Sequence, residues 1–354
     1  QDLKAVLGAL NVCSKESFVR MYDHEVQAQS VLKQFQGVAM DGPGDAGVIR
    51  PVPGSKRGLA VACGICPKYS DLDAYAMMAN AIDEAVRNLI AVGARLGTIS
   101  GLDNFCWPDP VQSEKTPDGR HKLAQLVRCC EALYDTCVAY GIPLISGKDS
   151  MKNDYKIGDT KISIPPTVLF TAAAILDDVN AVVSMDVKQP GDLVYVLGET
   201  KPEMGGSEYL ALRGVLGATP PQVDTDRARA LYEKLSDAIA AGDVASCHDC
   251  SDGGLAVALA ESAFAGGFGM DLDIAPIGLD SNVATLFSES AGRFVATVRP
   301  DHAAAFEAAL GGMPCTRLGV VTAGTNFSIR CKNGAQVQAP LAELKEAWQQ
   351  PLRW

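Results

Sequence analysis

The chain has 354 residues, 47% of them hydrophobic, which is enough for about two domains, each with its own core. Its formal net charge of -11 argues against a nucleic-acid partner and against a phosphate-binding surface built mainly from Lys and Arg. A bound phosphate would therefore depend on metal ions and backbone N–H groups.

Residues 1–25 form a lead-in, and residues 26–188 alternate between strand-like and helix-like runs, which predicts a first domain of α/β type. The expected strands cover residues 58–63, 96–102, 142–146 and 167–176. The expected helices cover residues 73–92 and 121–140, and the second ends at a Gly-Ile-Pro stop.

The run Gln189-Pro190-Gly191 marks the expected start of a second domain, residues 189–354. Its predicted strands cover residues 193–198, 294–298, 327–330 and 335–338. Its predicted helices cover residues 222–241, 254–266 and 301–311.

Eleven cysteines are scattered without the spacing of a disulfide-rich domain, which predicts a reducing, cytoplasmic environment. Two C-x-x-C pairs begin at Cys63 and Cys247, too far apart for a usual zinc ribbon, so we expect buried or incidental thiols rather than a shared zinc site. No membrane-length apolar run and no signal segment are visible, so we expect no membrane partner. Because the first residue is Gln1, we expect a processed chain or a portion of a longer protein.

The first predicted helix carries Asn80, Glu84 and Asn88 at a spacing of four residues, which places them on one face. Most of the helix is apolar, and burying an unpaired Glu there would be costly. A metal or hydrogen-bonded site is one interpretation, and a solvent-facing stripe is the alternative.

Two loops combine carboxylates with glycines: residues 41–47, which include Asp45, and residues 248–255, which include Asp249 and Asp252. Carboxylates cannot hold phosphate directly, so such loops usually act through Mg²⁺. A plain loop, or an Asp that caps the next helix, is the alternative in each case. Both interpretations stay open for residues 248–255, and in the second of them Asp252 is the expected helix cap.

Further polar residues follow the predicted strands of the first domain. Asp103 with Asn104, and the run from Gly147 through Lys148 to Ser150, lie at strand ends, where α/β proteins collect ligands. Lys148 is the expected phosphate contact there.

These runs together resemble the phosphoribosylformylglycinamidine synthases, and more narrowly the second of the two homologous synthetase halves of those enzymes. The matching runs, in chain order, are Y-D-H-E-V (22–26), G-D-A-G-V (44–48), D-N-F-x-W-P-D (103–109), G-K-D-S-M (147–151), G-G-S-E-Y (205–209), H-D-x-S-D-G-G-L (248–255) and F-S-E-S-x-G-R-F (287–294).

The resemblance implies a PurM-like, that is AIR synthetase-like, fold: an α/β N-terminal domain followed by an α+β C-terminal domain. In that family the N-terminal domains pair to form a β-barrel and hold nucleotide in the clefts between paired units. The positions that correspond to Mg²⁺ ligands are Asp45, Glu84, Asn88 and Asp249. The positions that correspond to nucleotide contacts are Asp103, Gly147 and Ser251, while Ser150, together with Lys148, is expected to contact substrate or phosphate.

The chain departs from the complete enzyme at one position that matters for catalysis. The family's active half has a His before a Pro, whereas Cys66 precedes Pro67 here. We therefore assign no catalytic residue and expect the isolated chain to be inactive.

The resemblance implies formylglycinamide ribonucleotide amidation by ATP and glutamine, with Mg²⁺ and ATP or ADP as cofactors, the other synthetase half and a glutaminase domain as partners, and a homodimer as the state of the isolated chain. Two alternatives stay open: a structural nucleotide-binding module without turnover, and a free-standing AIR synthetase-like enzyme.

Overall fold

The computed structural model describes residues 1–354, with the side chain of Val26 set aside. The α-helices are α1 (Asp2–Leu7), α2 (Glu16–Val19), α3 (Ala74–Ala91), α4 (Gly119–Tyr140), α5 (Glu208–Ala211), α6 (Thr225–Ala240), α7 (Gly254–Gly266), α8 (Asn282–Phe287), α9 (Ala303–Ala309) and α10 (Leu341–Gln349).

The strands fall into two large sheets and one hairpin. They are β1 (Ser30–Leu32), β2 (Gly47–Ile49), β3 (Gly58–Gly64), β4 (Ile99–Cys106), β5 (Leu144–Ser150), β6 (Asp154–Ile157), β7 (Thr160–Ser163), β8 (Thr167–Leu176), β9 (Leu193–Leu197), β10 (Ser246–Asp249), β11 (Gly269–Asp273), β12 (Phe294–Val298), β13 (Cys315–Thr322), β14 (Asn326–Arg330) and β15 (Gln336–Pro340).

The first sheet has six strands in the order β1-β2-β3-β8-β4-β5 and is mostly antiparallel. Only β4 and β5 run parallel, so the expectation that ligands bind beyond the carboxyl ends of parallel strands applies to that one pair. Helices α3 and α4 cover one face, where the apolar side chains of β8 alternate inward. On the other face Val61 and Ile175 are more than one-third exposed, so this face has no layer packed against it within the described chain.

The second sheet has seven strands in the order β10-β12-β9-β13-β11-β14-β15. Helices α6 and α9 pack on one face, and α7, α8 and α10 pack on the other. Strand β10 is an edge strand, so its outer backbone groups need partners from outside the sheet. That edge faces the first domain.

One of the two apolar cores crosses the boundary between the domains. Helix α3 of the first domain packs against α6 and β10 of the second, and buried side chains from both units form a single cluster. The N-terminal segment joins the other face of the second sheet, because Leu3, Val6 and Leu7 of α1 pack with α7 and α10. Residues 2–7 thus contribute to the second core, and the predicted boundaries at 25 and 188 stay a prediction.

The predicted α/β plus α+β architecture is confirmed, and the long periodic elements agree with their predicted positions. Helices α3 and α7 and strands β8 and β12 differ from expectation by no more than a residue or so at each end. The sequence patterns missed seven strands: β1, β2, β6, β7, β10, β11 and β13. In β10 the polar sequence S-C-H-D conceals four buried residues. Ser246 bonds to Thr297 of the same sheet, while His248 and Asp249 find partners in Asp45 and Arg87 of the first domain.

Helix α3 approaches β3 closely at Gly64. A Cβ added at Gly64 would overlap the backbone oxygen of Ala81, in the middle of the helix. We expect Gly64→Ala to lower the free energy of unfolding by about 1–3 kcal/mol, since backbone atoms on both sides would have to separate. Urea unfolding measures this. Gly97→Ala is the matched control, because a Cβ there meets open space; an equal loss in both variants would contradict the close-approach account.

Candidate metal centre

Asp45, in the loop before β2, reaches across to the free edge of β10. Its Oδ1 accepts hydrogen bonds from the backbone N–H of Asp249 at 3.1 Å and from Nδ1 of His248 at 2.7 Å. Its Oδ2 is buried and has no partner among the described atoms. One oxygen therefore joins the two domains, and the other is left for a ligand.

His248 lies between two buried carboxylates. Nδ1 faces Asp45, and Nε2 faces Oε2 of Glu261 on α7 at 3.1 Å. Although burial opposes protonation, the two carboxylates raise the pKa of His248 well above its usual range. Both ring nitrogens are engaged by carboxylates, so His248 is not free to act as a metal ligand.

Asp249 and Glu84 form the second part of the cluster. Burial raises the pKa of Asp249 to about 6, although the Arg87 guanidinium, 3.3 Å from Oδ2, opposes the shift. Burial, followed by the negative charge of Asp249, raises the pKa of Glu84 to about 7. Each carboxylate thus resists ionisation in the absence of further positive charge.

Glu84 and Asn88 are held at the end of β3. Oε2 of Glu84 accepts the backbone N–H of Ile65 at 2.8 Å, and Nδ2 of Asn88 donates to the Cys63 carbonyl at 3.3 Å. Asn80, on the same helix face, donates instead to the carbonyls of Ala76 and Pro221. The predicted shared face is therefore split: Asn80 joins the domains, Glu84 lies beside Asp249, and Asn88 bonds to the end of β3.

The residues fit a hard divalent cation. Oxygen atoms of Asp45 and Asp249 and a nitrogen of His248 lie within 4.8 Å of one another, all three residues buried. Because carboxylates engage the imidazole, the ligand atoms left for a cation are the carboxylate oxygens of Asp45 and Asp249. Oxygen is the ligand type that Mg²⁺ prefers. The buried Oδ2 of Asp45 has no hydrogen-bond partner, so it is the atom of Asp45 that would bind such an ion.

The sequence did not predict a buried hydrogen-bond network around Asp83, which lies behind the cluster. Asp83 Oδ1 accepts the hydroxyl groups of Tyr140 and Tyr232, each at 2.5 Å, and its Oδ2 pairs with Arg87 and accepts the Gly292 N–H. Tyr232 and Gly292 belong to the second domain. The signal available in the sequence was the Asp83/Arg87 pair, four residues apart in an otherwise apolar helix.

The Asp252 prediction was wrong. Helix α7 begins at an N-cap Gly253 with φ of 82°, and no side chain caps it. Asp252 is half-buried, and burial together with Glu289, Glu84 and Glu208 raises its pKa well above the usual range. Its loop is held by Glu289, whose Oε1 accepts the Gly253 N–H at 2.9 Å. Ser251 lies beside the cluster, with its hydroxyl 3.5 Å from Oδ1 of Asp249.

The four predicted residues of the β4–β5 pair divide between the two faces of the sheet. Asp103 is buried on the helix-covered side, where a Cβ at Gly147 would lie 2.8 Å from its Oδ1. Lys148 and Ser150 alternate to the open face and hydrogen-bond to each other. No hydrogen bond among the described side chains links these four residues to Asp45 or Asp249.

Cys66 borders the cluster. Its thiol donates to Oε2 of Glu84 at 3.6 Å, and burial, followed by the charge of Glu84, raises the pKa of Cys66 well above its usual range. A raised thiol pKa makes Cys66 a poorer nucleophile near neutral pH.

Two family models match the chain. The model described as AIR synthase related protein, N-terminal domain, matches residues 43–176, and the corresponding C-terminal domain matches residues 189–332. The chain belongs to the AIR synthase related proteins.

Curated relatives make the match more specific. The chain is similar to the phosphoribosylformylglycinamidine synthase subunit PurL of Thermobifida fusca, with 35% identity over 98% of this chain and 42% of the relative. The Streptomyces avermitilis PurL subunit is 36% identical over 99% of this chain and 43% of the relative. The expected resemblance is thus confirmed, and the chain spans less than half the length of these relatives.

Solved structures share the fold. Thermotoga maritima PurL complexed with FGAR superposes with a TM-score of 0.71 at 17% identity, covering 98% of this chain and 53% of that one. A HypE–HypF complex gives 0.66 at 15% identity, over 92% of this chain and 98% of that one.

We expect Arg87→Met to lower the free energy of unfolding by about 3–5 kcal/mol, because Asp83 and Asp249 would stay buried without their cation. Chemical denaturation measures the loss. Arg95→Met, which removes an exposed ion pair to Asp237, is the control and should change stability by less than about 1 kcal/mol. Equal effects would show that the buried pair is not an anchor.

Proposed function

We propose that this chain is the second AIR synthetase-like half of a phosphoribosylformylglycinamidine synthase, and that it binds a Mg²⁺–nucleotide at the inter-domain centre. The whole enzyme would convert formylglycinamide ribonucleotide, glutamine and ATP to formylglycinamidine ribonucleotide in purine biosynthesis. PurL relatives match nearly the full chain, and Thermotoga maritima PurL has been solved complexed with ATP and with ADP. The observation that carries the site is the buried, unpartnered Oδ2 of Asp45 beside Asp249.

Asp45, Glu84, Asn88 and Asp249 would hold the ion, with Ser251 near the nucleotide. When bound, Mg²⁺ would neutralise the charge of the nucleotide phosphates. The protein's own part is to orient these carboxylates and exclude water from them. Arg87 and His248 do this by occupying one side of Asp249 and of Asp45. Lys148 and Ser150, on the open sheet face, are proposed to contact phosphate or substrate; Asp103 and Gly147 stay proposals for nucleotide contacts.

The alternative is a nucleotide-binding module that stabilises its partner half without turnover. Cys66, whose thiol pKa is raised by burial, stands where the resemblance places a His in the active half, which favours this role for the chain by itself. Under either alternative we propose a cytoplasmic location, since the eleven described cysteines are all free thiols. Among the described residues, no helix has the length and apolar character needed to cross a membrane.

The open face of the first sheet supports pairing with a second AIR synthetase-like unit. Val61 and Ile175 are exposed there, and β5 is an unpaired edge. Closing this sheet against a similar one would cover both features. We propose the other synthetase half as the natural partner, with a glutaminase domain attached to the assembly, and a homodimer when the chain is expressed alone.

We expect Asp249→Ala to weaken Mg²⁺-dependent ADP binding more than about tenfold, because a buried ligand of the ion is lost. Isothermal titration with and without EDTA measures this. Asp271→Ala, an exposed carboxylate on β11, serves as the control. Equal affinity in the presence and absence of EDTA would contradict the metal-dependent site.

We expect Val61→Glu to abolish pairing through the open sheet face, since a charge would be buried against the partner sheet. Analytical ultracentrifugation of the chain expressed alone would then show monomers. Ile157→Glu, on the exposed β6–β7 hairpin, is the control and should leave the association unchanged. A dimer that persists in the Val61 variant would place the interface elsewhere.

A further inference from the structure

Glu261 lies one layer behind the proposed metal centre. It is on α7, buried under the second sheet, and its Oε2 is 3.1 Å from Nε2 of His248. Nothing in the chemistry proposed above uses Glu261. A carboxylate in this position, inside a helix whose residues are all buried, requires an explanation.

The explanation lies in what His248 does with its other nitrogen. Nδ1 of His248 donates to Oδ1 of Asp45 at 2.7 Å, so three side chains form a continuous chain from α7 to the first domain. Oδ1 of Asp45 also accepts the Asp249 N–H. With two donors on Oδ1, the carboxylate is fixed in rotation, and Oδ2 is the atom left for the ion.

A single carboxylate would be enough to give a buried imidazole ring a hydrogen-bond partner. A second one adds the desolvation of another charge, and apolar residues would pack there at a lower free-energy cost. What Glu261 adds is orientation: it holds Nε2 and thereby fixes the plane of the ring. Nδ1 is then directed at one oxygen of Asp45, as when a carboxylate behind a histidine orients a metal site.

We propose that Glu261, acting through His248, is a positioning residue that presents Oδ2 of Asp45 to the divalent cation. This inference rests on the proposed function, because it needs a cation at Asp45. Glu261 itself does not contact the ion. Its effect should therefore be on cation affinity rather than on which residues ligate the ion.

A purely structural role is the competing explanation. The His248–Asp45 contact also joins the two domains, so Glu261 could serve only to hold them together. In that case Glu261 variants would unfold more easily, and the folded fraction would bind the cation with unchanged affinity. Cation affinity per folded molecule therefore separates the two roles.

The test is Mn²⁺ binding, followed by electron paramagnetic resonance, in the full-length protein without nucleotide. We expect Glu261→Gln to weaken Mn²⁺ binding about tenfold, the lower end of the range for a residue that directly holds a metal ligand, because Glu261 acts through His248. His248→Asn is a second variant in case the first folds poorly. The Asn amide can still donate to Asp45 but cannot reach Glu261, so this variant should also bind Mn²⁺ with lower affinity. Thermal unfolding of each variant establishes that it is folded.

The control is His302→Asn, the same substitution at another histidine of the same domain, whose Nδ1 lies 2.9 Å from Asp243 and whose Nε2 lies 2.8 Å from Arg299, away from Asp45. It should bind Mn²⁺ as the parent protein does. If Asp45→Asn abolishes binding while the Glu261 and His248 variants bind normally, the positioning role is overturned and the metal site stands. If the parent protein binds no Mn²⁺, both the proposed site and this inference fail.

Discussion

The structure depends on one carboxylate that crosses between domains. Asp45 takes up a backbone N–H at the free edge of β10, a group that would otherwise be buried without a partner. The same contact places Asp45 beside Asp249, so closing the sheet edge and assembling the centre are one event. A chain with the two domains apart would have neither a satisfied edge nor a site.

Charge explains why this junction calls for a cation. Within the described network the carboxylates outnumber the cationic groups, Arg87 and His248; the carboxylates are those of Asp45, Asp83, Glu84, Asp249 and Glu261. Asp83 is fully committed to Arg87 and two tyrosines, and Glu261 to His248. The uncompensated charge therefore falls on Asp45, Glu84 and Asp249, where a divalent ion would lower the free energy most.

The sequence predicted features that depend on local pattern and could not predict those that depend on tertiary contacts. Periodicity located α3 and placed Glu84 and Asn88 on one face of it, and the G-D-A-G-V run singled out Asp45. No sequence pattern pointed to Glu261 or Tyr232, because their hydrogen bonds form only when elements far apart in the chain come together. The helix-cap prediction for Asp252 was wrong for a related reason. An Asp before Gly-Gly often caps a helix, but here Gly253, with its positive φ, is the N-cap residue and no side chain caps α7.

The central claim is that both domains contribute ligands to one divalent ion. Anomalous diffraction from crystals grown with Mn²⁺ and ADP tests it most directly. The account predicts a peak between Asp45 and Asp249, about 2.1 Å from Oδ2 of Asp45. An ordered nucleotide whose Mn²⁺ peak lies away from both residues, or a complete dataset with ADP bound and no peak there, would contradict it.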